Sequence, residues 1–140
     1  MPRIVALDVG DRTIGVAASD ELGITANPVR AIRRGASVKA DLREVDALLA
    51  ELEASEVVVG IPLDAEGEEG PQAEKVKDFS ERLAKRLRIP VVHWDERFST
   101  AEAEETLIEM GASRARRRKV IDTMAAAVIL ESYLRETKRD

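Results

Sequence analysis

The stretch IVALDVGDRTIGVAASD, residues 4–20, decides the fold of this protein. Its first half is a continuous apolar run that ends on one carboxylate, Asp8, and Gly10 follows two residues later. The residues after Asp8 are typical of a tight turn, and a second apolar run comes next. We therefore predict two strands, residues 3–9 and 14–19, joined by a short turn.

The first of these strands is apolar on both faces. Side chains alternate along a strand, so Ile4, Ala6 and Asp8 share one face, and Val5 and Leu7 lie on the other with Val9. A strand that is apolar on both faces usually lies in the centre of a sheet with helices on both sides. A carboxylate at the end of such a buried strand is unusual, because burying an unpaired charge is unfavourable.

The rest of the chain predicts an α/β fold. A third strand at residues 24–33 follows after a short turn, so the first three strands form an antiparallel meander. Hydrophobic periodicity then predicts a helix at 38–53, a strand at 57–62, a helix at 71–87, a strand at 89–94, and helices at 100–110 and 116–137. Strand–helix–strand crossovers give parallel pairing. The expected architecture is a mixed five-stranded sheet, the meander followed by parallel strands, with helices on both faces, in one domain of residues 1–140.

Composition limits the possible functions. The chain has 140 residues, of which 44% are hydrophobic and 35% charged, as in a globular protein. It has no cysteine, which excludes disulfides, thiolate metal sites and cysteine nucleophiles. No apolar run is long enough to span a membrane, so we expect a cytoplasmic protein with no membrane partner. The net charge is −5, so any nucleic-acid site must be a local basic patch.

Three carboxylates are candidates for a shared site. Asp8 ends the first strand, Glu96 follows the last predicted strand, and Asp122 lies inside the final helix. Binding sites in α/β sheets lie beyond the carboxyl ends of the parallel strands. At 100° per residue, Asp122 shares a helical stripe with apolar residues that we expect to pack on the sheet. These residues are Ala125, Ala126, Ile129 and Tyr133.

Converging carboxylates repel one another, and a divalent cation is the simplest compensation. Mg²⁺ and Mn²⁺ take oxygen ligands from carboxylates and from substrate phosphates. We therefore predict that Asp8 is held rigidly as a ligand, and that Gly10 lets a phosphate backbone approach. Simpler interpretations remain: Asp8 could merely start a turn, and Asp95 competes with Glu96.

Other features near these carboxylates also have two interpretations. Ser99 and Glu102 match a helix capping box, and His93 is expected to pack at a strand end. Five basic residues precede Asp122 in the final helix, where they could bind phosphates or form a solvated helix face. They are Arg114, Arg116, Arg117, Arg118 and Lys119, named here the basic cluster.

Four segments in order resemble the YqgF/RuvX family, RNase H-like proteins related to the RuvC Holliday junction resolvases and described as pre-16S rRNA nucleases. They are LDVGDRTIGVAASD (7–20), VVVGIPLDAEGEEGP (57–71), VVHWDERFSTAEAE (91–104) and KVIDTMAAAVILESYL (119–134). The resemblance implies an RNase H-like fold and places the family's acidic residues on Asp8, Glu96 and Asp122. Its middle motif falls on Gly60, Pro62 and the loop to Gly70 and Pro71, on the substrate side.

The function that follows as an expectation is a metal-dependent nuclease. Two Mg²⁺ or Mn²⁺ ions would sit on Asp8, Glu96 and Asp122, and phosphates would be held by Gly10, Arg12, Arg97 and the basic cluster. The expected substrate is the 5′ end of pre-16S rRNA, with branched DNA of the Holliday junction type as the alternative. A phosphate-binding, ATPase-like module and a non-catalytic ribosome-assembly factor are the rivals. We expect a monomer or a homodimer.

Overall fold

The computed structural model describes residues 3–64, 66–95 and 114–137, with side chains described outside 114–122. In chain order the elements are β1 (Arg3–Val9), β2 (Thr13–Ser19), β3 (Ala26–Arg33), α1 (Val38–Glu51), β4 (Ala54–Ile61), α2 (Pro71–Arg86), β5 (Val91–Asp95) and α3 (Arg114–Glu136). The predicted helix at 100–110 lies outside the described residues. No helix in the described part of the chain combines the length and the apolar character that a membrane span requires.

The strands form one mixed sheet in the order β3-β2-β1-β4-β5. β2 pairs antiparallel with both β1 and β3, whereas β4 pairs parallel with both β1 and β5. This is the predicted meander followed by parallel strands. The carboxyl ends of β1, β4 and β5 consequently lie at one edge of the sheet, together with the turn between β1 and β2.

Helices cover both faces, as the apolar character of β1 on both sides predicted. Val5 and Leu7 belong to the core cluster under α1 and α2, which includes Phe79 and Leu83. Ala6 belongs to a second cluster, formed against α3. The stripe of α3 predicted to lie on the sheet is buried throughout: Ala125, Ala126, Ile129 and Tyr133 are each at most 4% exposed. The small alanines allow the helix to approach the sheet closely.

Four of the five strands have boundaries that differ from those predicted: β2 begins one residue earlier, β3 begins two residues later, and β4 and β5 also shift. β4 begins at Ala54, three residues earlier than expected. The sequence did not indicate this start because Ser55 and Glu56 are polar and do not resemble a buried strand. Glu56 is buried in this segment, where its carboxylate accepts a hydrogen bond from the Tyr133 hydroxyl of α3. β5 begins at Val91 and extends to Asp95, one residue further than predicted.

β3 is an edge strand of the described sheet and is almost entirely exposed, with only Ile32 buried. Its pairing with β2 shifts register between Val16 and Ala17, which leaves an irregularity in the strand near Val29. The turn that leads into β3 is held by Asp20, whose carboxylate accepts hydrogen bonds from the backbone N–H groups of Ile24 (2.7 Å) and Thr25 (3.1 Å). The bonds from Thr25 and then Ile24 lower the pKa of Asp20.

Candidate functional site

Asp8 lies at the carboxyl edge of the sheet with a glycine on each neighbouring strand. It pairs with Gly15 of β2, and because Leu7 pairs with Val59, the next residue of β4 beside it is Gly60. Alternation from Ala6 places the Asp8 side chain on the face covered by α3. Neither adjacent strand therefore carries a side chain beside this carboxylate, which is half-buried.

The turn after Asp8 is closed by its own backbone. The Gly10 N–H donates to the Thr13 carbonyl at 2.9 Å. A Cβ atom built on Gly10 would come within 3.1 Å of that same carbonyl oxygen. The tightness of the turn is thus a structural reason for the glycine, in addition to the access for phosphate that the sequence suggested.

An ion pair on the opposite face of the sheet holds this turn in place. The Arg34 guanidinium donates from Nη1 to the Gly10 carbonyl (2.9 Å) and from Nε to Oδ2 of Asp41 on α1 (2.9 Å). The Arg34 backbone N–H also donates to the Arg12 carbonyl at 2.8 Å, and the guanidinium stacks over the Phe79 ring at 5.2 Å. The pair is largely buried, with 19% of the Arg34 side chain and 4% of the Asp41 side chain exposed.

Asp41 completes this arrangement by holding the segment after β3. Its Oδ1 accepts the backbone N–H of Gly35 at 2.8 Å. The Arg34–Asp41 pair therefore fastens the turn that follows Asp8 to β3, α1 and α2 at once. It was not predicted from the sequence, where Asp41 has the same pattern as an ordinary acidic residue in the first turn of a helix.

The loop after β4 lies at the same edge and is strongly acidic. Asp64 organises it by accepting the backbone N–H groups of Glu66 (3.0 Å) and Glu68 (2.8 Å). Asp64, Glu66, Glu68 and Glu69 are all exposed, and Glu69 pairs with Lys77 of α2. This is the loop of the middle motif, and it makes the β4 side of the site negatively charged.

Of the predicted carboxylate triad, the structure describes the side chain of Asp8 alone. Glu96 lies outside the described residues, directly after the end of β5. Asp122 lies in α3, but its side chain is not described. No three His, Asp or Glu side chains in the described part of the chain are grouped so that they could hold a metal ion.

The other candidates near β5 lie on the face away from Asp8. Alternation from Trp94, which packs in the cluster under α3, places His93 and Asp95 on the side of α1 and α2. His93 is exposed in the middle of β5, not at a strand end as expected, and its Nε2 is 2.8 Å from the buried Ser80 hydroxyl of α2. Asp95 thus has the sheet between its side chain and the face on which Asp8 lies.

The predicted phosphate-binding residues fall into two groups. Gly10 and Arg12 lie in the described turn after Asp8, where Arg12 is exposed. Arg97 lies outside the described residues, as does the predicted capping box of Ser99 and Glu102. The basic cluster occupies the first turns of α3, which begins at Arg114, two residues earlier than predicted, and its side chains are not described.

Comparison with known proteins finds similarity along nearly the whole chain. Residues 2–136 match the RuvX family, described as Holliday junction resolvase. A relative from Symbiobacterium thermophilum, named "Putative pre-16S rRNA nuclease", is 53% identical over 132 residues, which cover 94% of this chain and 91% of the relative. A relative of the same name from Myxococcus xanthus is 48% identical over 132 residues, 94% of this chain and 87% of the relative.

Among solved structures, the chain resembles Thermus thermophilus RuvC in complex with Holliday junction substrate. The TM-score is 0.58 at 15% identity, and the match covers 99% of this chain and 97% of the other. A second structure of Thermus thermophilus RuvC has a TM-score of 0.55 at 13% identity, covering 96% of each chain. At these identities the likeness concerns the fold, and it agrees with the RNase H-like architecture expected from the sequence.

Proposed function

Because this chain belongs to the RuvX family, described as Holliday junction resolvases, we propose that it is a metal-dependent nuclease that hydrolyses phosphodiester bonds in nucleic acid. The observation that carries the proposal is the position of Asp8. A half-buried carboxylate on a central strand, flanked by Gly15 and Gly60, which have no side chains, can serve as a fixed ligand beside a phosphate.

The course of α3 supports a role for Asp122 at the same place. The Tyr133 hydroxyl bonds Glu56, whose partner on β1 is Ile4, so this part of α3 lies at the far edge of the sheet. Asp122 precedes Tyr133 by eleven residues, about 16 Å along a helix. Asp8 is four residues from Ile4, about 13 Å along a strand. The backbone of Asp122 therefore comes close to the level of Asp8.

The three carboxylates proposed as ligands fit a hard divalent cation. Asp8, Glu96 and Asp122 would supply only carboxylate oxygens, the donors that Mg²⁺ and Mn²⁺ prefer. Cations held by these carboxylates would supply an activated water and stabilise the leaving oxygen. Asp8 contributes a rigid oxygen donor, because its strand is paired on both sides and the following turn is held by Arg34.

Cationic side chains would bind and orient the substrate. Arg12 in the turn, Arg97 and the basic cluster would contact phosphates on either side of the cleaved bond. The described residues include few aromatic side chains at this edge, so recognition would depend on backbone charge and shape more than on base stacking.

We propose pre-16S rRNA as the substrate, with its 5′ end as the part that is processed; the relatives at 53% and 48% identity are named as pre-16S rRNA nucleases, which supports the first part of this proposal. Branched DNA is the second candidate, favoured by the description of the family. The two substrates differ in sugar and in shape but present the same phosphodiester group to Asp8.

A cleavage assay tests both candidates. Wild type, Asp8→Asn and the matched control Asp11→Asn are incubated with precursor rRNA fragments and with four-way DNA junctions, with Mg²⁺ and with EDTA. Asp11 is exposed in the same turn and pairs at the surface with Lys75 at 3.7 Å, so its substitution controls for charge near the site. We expect Mg²⁺-dependent cleavage by wild type and Asp11→Asn and none by Asp8→Asn.

The outcome of this assay separates the alternatives. Cleavage of the RNA alone supports rRNA processing, and cleavage of the junction alone supports the resolvase. Wild-type turnover in Asp8→Asn would falsify the ligand role of this residue. Absence of cleavage of either substrate by the wild type would leave the chain as a non-catalytic binding module.

A further inference from the structure

Arg33, at the end of the edge strand β3, lies on the same face of the sheet as Asp8. It pairs with Thr13 of β2, and alternation from the buried Ile32, which packs under α1 and α2, places Arg33 on the side of α3. Arg33 is exposed. Its neighbour Arg34 serves the opposite face, where it pairs with Asp41.

Arg33 and Arg12 are cations that the described structure does not neutralise. Within residues 3–64, 66–95 and the described part of α3, neither guanidinium forms an ion pair or a hydrogen bond. By contrast, Arg30, three residues earlier on the other face of β3, pairs with Glu44 of α1 at 3.8 Å. A guanidinium without an ion-pair partner, on the same face of the sheet as the proposed metal ligand Asp8, is well suited to bind a phosphate.

The charges on the two sides of Asp8 differ in sign. The loop after β4 exposes four carboxylates, of which one is paired with Lys77. On the antiparallel half of the sheet, Asp11 is paired with Lys75, and Arg12 and Arg33 remain as free cations among the described residues. A polyanion that approaches Asp8 is repelled by the first side and attracted by the second.

We infer that the substrate strand leaves the cleaved bond along the edge of the sheet on its antiparallel half, past the turn between β1 and β2 and the end of β3, where Arg12 and Arg33 bind its phosphates. The inference rests on the proposed nuclease function. Arg33 is two strand spacings from β1 and two residues beyond Asp8, which places its Cα about 12 Å from that of Asp8. At 3.4 Å of axis rise per nucleotide, this span corresponds to roughly three to four nucleotides from the cleaved bond.

The test compares Arg33→Gln with Arg30→Gln, a matched control on the opposite face of the same strand. Binding of a labelled RNA and a labelled DNA oligonucleotide is measured by fluorescence anisotropy in EDTA over a series of salt concentrations. We expect Arg33→Gln to reduce affinity roughly tenfold at 50 mM salt and to flatten the slope of log K against log salt by roughly 0.7 to 0.9, the value of one lost phosphate contact. Arg30→Gln should match the wild type.

Two further measurements test whether the effect of Arg33→Gln comes from a lost phosphate contact. Arg33→Lys keeps the charge and should retain most of the slope, which separates phosphate binding from a change in the fold of β3. In the second measurement, substrates are shortened stepwise on one side of the cleaved bond or on the other. The difference in affinity between wild type and Arg33→Gln should disappear when fewer than roughly three nucleotides remain on one particular side, and it should persist when the other side is shortened. Loss of the difference at the same length on both sides would contradict the proposed path.

Failure of this inference is distinguishable from failure of the proposed function. If the wild type binds nucleic acid and Arg33→Gln has the same affinity and salt slope, the path past the end of β3 is wrong and the nuclease function is unaffected. If the wild type neither binds nor cleaves nucleic acid, the proposed function and the path that rests on it are both overturned.

Discussion

Replacing Asp41 by asparagine should destabilise the protein and disturb the turn after Asp8. The substitution keeps the shape of the side chain but leaves the Arg34 guanidinium without its carboxylate in a site that is only partly open to water. Removing one partner of a fully buried ion pair costs about 3 to 5 kcal/mol. Because Arg34 remains 19% exposed and retains its bond to the Gly10 carbonyl, we expect about 2 to 3 kcal/mol.

The measurement is urea unfolding of wild type, Asp41→Asn and the control Asp46→Asn. Asp46 lies on the same helix and pairs with Arg86 at 3.2 Å, but its side chain is 37% exposed and that of Arg86 33%. Such a surface pair contributes about 1 kcal/mol or less. At about 3 to 4 °C per kcal/mol for a chain of this size, Asp41→Asn should lower Tm by roughly 6 to 12 °C.

Activity provides a second readout for the same variants. At a temperature where Asp41→Asn is fully folded, its kcat should fall relative to Asp46→Asn, because the turn that positions Asp8 has lost one of its anchors. Equal unfolding free energies for Asp41→Asn and Asp46→Asn would refute the argument that burial makes this pair important. Equal kcat would refute its role in positioning the turn.

Three other predictions concern the remaining charged groups. Glu96→Gln should abolish cleavage while Asp95→Asn retains it, because Asp95 lies on the opposite face of the sheet from Asp8; single-turnover assays of both variants check this. Replacing Arg116, Arg117 and Arg118 by alanine should weaken the binding of all nucleic acids alike and flatten its salt dependence, with a smaller effect on turnover at saturating substrate. Salt titrations of wild type and this triple variant with equal affinity and equal slope would contradict the prediction. Asp20 has a lowered pKa, so its contribution to stability should be fully present above the unfolded pKa of about 3.9 and be lost as pH falls through the lower folded value. Urea unfolding of wild type and Asp20→Asn should therefore differ at pH 7 and converge in acid.

The sheet could be predicted from the sequence because the residues of β1 alone show that this strand is buried on both faces. Its apolar residues on both faces required a central position, and the predicted antiparallel and parallel partners are those observed. The limits of β4 were harder to predict, because the burial of Glu56 depends on a tyrosine more than seventy residues away. Long-range partners of this kind leave no periodic signal in the sequence.

The candidate site was predictable only in part for a similar reason. Asp8 was identified by its place at the end of a strand, a local property of the sequence. Arg33 and Arg34 are identical in type and adjacent, yet one lies on the face of Asp8 and the other closes an ion pair beneath the turn. Which arginine serves which face follows from strand register, and register depends on the partner strand.

The exposed edge strand β3 has a consequence for self-association. An unpaired strand edge is a template on which a second copy can add a strand, and extended edges of this kind lead to aggregation. β3 weakens that template in three ways: Pro28 lacks an N–H donor, the register shift near Val29 interrupts the regular pairing, and Arg30 and Arg33 bring like charges to any second copy. The residues that interrupt this edge thereby protect the chain from polymerising through its sheet.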